Sequence, residues 1–153
     1  MGSSYGGQVL WQKISCISYL GGIVMKWDNI NKLCDIVRQT SFDIHCYHSH
    51  GHLEKVYENA LFHRLSKQGI KVQQQCPLTV YDEDGTVIGE YFADLFIENC
   101  LIVELKACRE ICDEHVAQIL GYLKSARIET GLLINFGSRK IYVKKYLMNI
   151  KKK

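Results

Sequence analysis

The stretch FADLFIENCLIVELKA, residues 92–107, sets Asp94, Glu104 and Lys106 among apolar neighbours. It reads as two short strands joined by a turn at Glu98-Asn99. The second strand is apolar on both faces, the pattern of a strand covered on both sides. Charged side chains are rare in such a strand unless paired, metal-bound or functional. Alternation puts Glu104 and Lys106 on one face and Val103 and Leu105 on the other, and it groups Asp94 with Phe92 and Phe96. Two carboxylates and an amine converging on an apolar sheet define a candidate divalent metal site with a lysine beside it.

The elements that must position these groups follow from periodicity. Apolar residues over 28–47 predict a helix, with Asp28 as a candidate N-cap and a break near Thr40-Ser41. His45, His48, His50 and His52 then surround Gly51 where two helices meet, at a spacing that fits no strong zinc signature. Over 52–68, Leu53, Val56, Tyr57, Ala60, Leu61 and Leu65 form an amphipathic stripe that Gly69 ends. Glu54 falls at the stripe's margin, so partial burial is expected. Residues 70–81 read as a strand whose Pro77 favours an edge or a bulge. The Asp82–Gly85 turn leads to strands over 86–97 and 100–107. Asp113 is the candidate cap of a helix reaching Ile128, with Val116, Ile119, Leu120 and Leu123 as its stripe. Short strands at 131–135 and 140–146 complete the order αβββαββ. That order implies an α/β domain with a mixed sheet of about four strands flanked by helices.

A chain of 153 residues with 47% hydrophobic and 23% charged residues is long enough for one domain with a core of its own. Residues 1–24 read as an N-terminal extension, and residues 25–153 as the compact domain. The net charge of +3 is too small to argue for a nucleic-acid partner by itself. Basic residues do gather late, at Lys140, Lys144, Lys145 and the Lys151–Lys153 tail. The seven cysteines are an odd number without CxxC spacing, which reads as reduced thiols in a cytoplasmic protein. No apolar run is long enough to span a membrane. Residues 14–25 make a poor signal peptide, with little preceding positive charge and no clear cleavage pattern.

Four motifs in order resemble the GxxExxY proteins, a branch of the PD-(D/E)XK nuclease superfamily. Gly51-His52-Leu53-Glu54-Lys55-Val56-Tyr57 matches the name motif. Asp94 is followed ten residues later by Glu104-Leu105-Lys106. Gln118 and Tyr122 match a QxxxY element, and Asn135-Phe136-Gly137 follows the next strand. The resemblance runs from about residue 28 to 146. Histidines flanking Gly51 depart from its pattern. It implies a restriction-endonuclease-like core and a metal-dependent nuclease that hydrolyses nucleic-acid phosphodiester bonds, DNA being the first candidate. The implied cofactor is Mg²⁺ or Mn²⁺, held by Asp94, Glu104, the Leu105 backbone carbonyl and Glu54. Lys106 would orient the attacking water, since an ammonium cannot accept a proton. Gln118 would support the metal or Lys106, and Tyr122, His115 and Tyr57 would meet substrate. The rival implication is a catalytically silent nucleic-acid-binding or regulatory module on the same fold. A homodimer suits a domain this small, and a membrane partner is not expected.

Overall fold

The computed structural model describes residues 29–150, together with the backbone of two short strands before them. These strands, β1 (Ile17–Leu20) and β2 (Ile23–Lys26), pair antiparallel with each other. The remainder of residues 1–28, including Asp28, and the Lys151–Lys153 tail lie outside the described residues.

The first helix, α1 (Ile30–His48), runs unbroken through Thr40-Ser41. The buried Ser41 hydroxyl donates to the Val37 carbonyl one turn back at 2.7 Å, so the helix itself satisfies it. Asn29 is the N-cap, its side chain accepting the Asn31 N–H at 2.9 Å. The second helix, α2 (Glu54–Lys67), starts two residues later than the stripe suggests. Leu53 stays extended before it and is exposed, as is Val56. The inward set is instead Tyr57, Glu58, Leu61 and Leu65. Gly69 follows the helix at φ 78, the left-handed conformation expected of it.

The strands β3 (Val72–Tyr81), β4 (Val87–Ile97), β5 (Leu101–Lys106), β6 (Thr130–Asn135) and β7 (Tyr142–Leu147) form a five-stranded sheet in sequence order, one strand more than predicted. All neighbours are antiparallel except β5 and β6, between which α3 (Asp113–Ala126) crosses over. Pro77 lies in β3, an edge strand, where its missing N–H breaks no ladder. Cys112 rather than Asp113 caps α3.

Helices cover both faces. Leu95, Ile97, Leu101, Val103, Leu105, Leu132 and Ile134 pack with residues of α1 and α2. Ala93, Phe96, Ile102 and Leu133 pack with Ile119, Tyr122 and Leu123 of α3. The alternation in β6 and β5 is regular. In β4 it slips: Ala93 belongs to the α3 side and Leu95 to the α1/α2 side, with Asp94 at the crossover. Phe92, expected to share a face with Phe96, is therefore exposed whereas Phe96 is buried. A one-residue slip of this kind redirects every side chain beyond it.

Among the described residues no helix is long and apolar enough to cross a membrane. Cys34, Cys46, Cys76, Cys108 and Cys112 are free thiols, while Cys100 is disulfide-bonded, against the expectation of reduced thiols throughout.

Candidate active site

β4 and β5 pair only from Leu95↔Val103 to Ile97↔Leu101. Beyond that the strands part, and side chains take over the backbone groups. Glu104 Oε1 accepts the Asp94 N–H at 3.1 Å, and Asp94 Oδ2 accepts the Leu105 N–H at 2.8 Å. The two carboxylates therefore cross-tie the mouth of a notch in the sheet. Both are buried, at 9% exposure for Asp94 and 2% for Glu104. Burial foremost, and the neighbouring Asp94 carboxylate next, push the Glu104 carboxyl up to about 9.

Lys106, next on the Glu104 face, donates to Gln118 Oε1 at 2.8 Å. Gln118 in turn donates to the Tyr122 hydroxyl at 3.0 Å. The three form one relay because Gln118 and Tyr122 stand one turn apart on α3. Tyr122 is nearly buried, its ring 5.0 Å from that of Tyr91. Burial raises its hydroxyl pKa, with the charge of Glu104 adding to the shift.

Glu54 opens α2 and is half-buried. Its carboxyl is raised by burial, then by Asp94, while Lys106 and the Ala107 backbone N–H pull it back. Those influences put Glu54 beside the notch, reaching it from the helix layer opposite α3. Gly51 at φ 114 makes the preceding turn possible.

Tyr57 is elsewhere. It is fully buried, stacked on Phe136 with ring centroids 4.6 Å apart. Its hydroxyl donates to the Ser49 carbonyl at 2.6 Å and accepts the His52 N–H at 3.2 Å. With no exposed surface it cannot meet substrate, so the expectation of a substrate contact is corrected to a pin for the α1–α2 junction. His115 uses Nδ1 to accept the Cys112 N–H at 3.2 Å at the head of α3, leaving its proton on Nε2. His45 bonds the Ser138 carbonyl at 2.9 Å, and the His48 and His52 rings meet edge-on at 5.8 Å.

Several residues at the notch escape a sequence reading. Glu58 is 3% exposed and lies one turn beyond Glu54 on α2, a spacing that could have flagged it. Gln75 donates to Asp94 Oδ1 at 3.3 Å. Asn135 clasps the chain just after Lys106: its Oδ1 accepts the Cys108 N–H at 3.1 Å and its Nδ2 donates to the Cys108 carbonyl at 2.9 Å.

Hard oxygen donors suit a hard divalent cation. Among the described residues no three His, Cys, Asp or Glu side chains already converge as a ligand cluster. A cation here would draw on few carboxylates and complete its shell with carbonyl, water and substrate oxygens, the mode Mg²⁺ favours.

Comparison with known proteins agrees with this architecture. The family model of the PD-(D/E)XK nuclease superfamily matches residues 31–146, and the chain belongs to that superfamily. Its members generally use divalent metals and act on nucleic acid. The crystal structure of SSO0001 superposes with a TM-score of 0.52 at 17% identity, covering 63% of this chain and 50% of that one. The likeness supports the fold, and the chain spans half the length of that protein. No curated protein matches the sequence.

Proposed function

We propose that this protein is a metal-dependent phosphodiesterase that cleaves nucleic acid, DNA first, and that it belongs to the GxxExxY branch of its superfamily. The observation that carries this is the cross-tied Asp94–Glu104 pair with Lys106 held beside it by Gln118. Asp94, Glu104 and the Leu105 carbonyl would hold Mg²⁺ or Mn²⁺, with Glu54 joining directly or through water. When bound, the ion supplies Lewis acidity toward the scissile phosphate and its attacking water. Lys106, aimed by Gln118, orients that water and offsets phosphate charge. Tyr122 takes a phosphate oxygen, and His115 offers its Nε2–H to the strand.

The test is cleavage of plasmid and linear DNA, with RNA in parallel, by purified protein with Mg²⁺ or Mn²⁺. Glu104→Ala and Lys106→Ala should each abolish the activity while the protein stays folded. Activity that survives both changes would sink the assignment.

The free thiols favour a reducing, cytoplasmic compartment, and the disulfide at Cys100 weighs against one. Val87 and Ile88, exposed on the β3–β4 hairpin, support a homodimer. Sedimentation equilibrium at micromolar concentration checks that state, and a monomer throughout removes it.

A further inference from the structure

Glu58 and Gln75 adjoin the carboxylate pair, and the proposed mechanism uses neither. Gln75 sits mid-strand in β3 at φ 50, a conformation that costs any residue with a side chain. The β3–β4 register runs Gln74↔Leu95 and then Cys76↔Ala93, leaving out Gln75 and Asp94 between them. Consecutive strand residues ordinarily point to opposite faces. Here Gln74 and Gln75 both donate to the Glu58 carboxylate, one to each oxygen and both at 3.0 Å. Lys55 donates to the same group at 2.7 Å, so the buried Glu58 has its charge matched. An amide nitrogen carries two hydrogens. The Gln75 amide gives one to Glu58 and the other to Asp94 Oδ1 at 3.3 Å. The second Asp94 oxygen is held by the Leu105 N–H. Asp94 is thus fixed from both sides, by the sheet and by a side chain that Glu58 aims.

We propose that Gln75 is a positioning residue for Asp94, aimed by the buried Glu58, and that this pair sets the affinity of the site for its divalent cation. The proposal rests on the reading of Asp94 as a metal ligand. It also accounts for a glutamine where glycine would remove the backbone cost: the amide is needed there. Partners that orient a metal's ligands commonly change affinity by tenfold or more.

Mn²⁺ titration of the full chain by calorimetry, with a thermal melt of each variant, tests it. Gln75→Gly relieves φ 50 but removes one bond to the buried Glu58, so the two effects offset and it should melt near the native temperature while binding Mn²⁺ about tenfold more weakly. Glu58→Gln should weaken binding as well, yet add nothing in the Gln75→Gly background, because it acts through Gln75. Native affinity in Gln75→Gly, additive losses in the double variant, or weakening only alongside a lowered melting temperature each overturn the positioning role. Asp94→Asn separates this from the underlying reading: Mn²⁺ binding indifferent to that change overturns the metal site itself, and the proposal with it.

Discussion

Glu104 is buried beside a second carboxylate, and its protonation carries a sign that can be measured. Its carboxyl is raised from 4.5 to about 9, chiefly by burial and then by Asp94. Between those values the folded chain keeps a proton that the unfolded chain has released, so stability falls as pH rises across that window. Metal-free protein should therefore lose melting temperature from pH 6 to pH 9, and Glu104→Gln should flatten the slope. The same proton must leave before Glu104 can serve a cation. Mn²⁺ affinity should accordingly climb with pH, approaching tenfold per unit below about 9, as isothermal titration at stepped pH would record. An affinity independent of pH would exclude Glu104 from the metal. Asp94, Glu104, Lys106 and Glu54 are marked in sequence by charge in an apolar strand or at the edge of a helical stripe, whereas the uncharged Gln118 is marked only by the QxxxY resemblance. The resemblance places Tyr57 with the substrate contacts, although a tyrosine at helical spacing is more often a core aromatic with a satisfied hydroxyl. Gln75 was least legible of all, because nothing in the run VQQQCPLTVY marks a left-handed backbone.

At the scale of elements, the end of β6 is latched to the chain leaving β5. Asn135 takes three hydrogen bonds, two with Cys108 and one from the Gly137 N–H at 2.9 Å. Gly137 lies so close that a Cβ would come within 2.3 Å of the Cys108 backbone nitrogen. The motif Asn135-Phe136-Gly137 is therefore a clasp that fixes where Lys106 ends its strand, with Phe136 stacking on Tyr57 as its third hold. Gly137→Ala should destabilise the fold by about 1–3 kcal/mol, read from the urea midpoint, because backbone rather than a flexible side chain must move. Asn135→Ala should cost a similar ~1–3 kcal/mol by stranding backbone groups of Cys108. Both should lower kcat more than they raise KM, since they displace Lys106 and not the substrate surface. Element order and type followed from periodicity. That order holds all five strands, but the expectation of about four in the sheet misses that β3 and β7 are both members. The unbroken α1 did not follow, because a buried serine that bonds back to its own helix looks in sequence like a helix breaker. The slip at Asp94 did not follow either: face alternation in sequence is continuous there, and only the parting of β4 from β5 reveals it.

At the scale of the molecule, β4 continues well past its pairing with β5, so the β3–β4 hairpin extends beyond the sheet as an arm. Between this arm and α3 lies a groove of about 1360 Å³, lined by Tyr81, Tyr91, Gly121 and Lys124 among others. None of the carboxylates of the notch lines it. Tyr91 is the link: it borders the groove, is 46% exposed, and rests against Tyr122, which closes the relay from Lys106. A strand whose phosphate lies at Lys106 would have its neighbouring base carried toward the Tyr91 ring. Stacking of a base on an aromatic side chain is worth about 1–3 kcal/mol. Tyr91→Ala should then weaken binding of a fluorescein-labelled oligonucleotide by about tenfold or more in anisotropy titrations. Measuring it in the Glu104→Ala background avoids cleavage during the titration. Tyr91→Phe, which keeps the ring, should restore the native affinity. Equal binding by all three forms would show that the strand leaves the notch in another direction and that the arm serves a different contact.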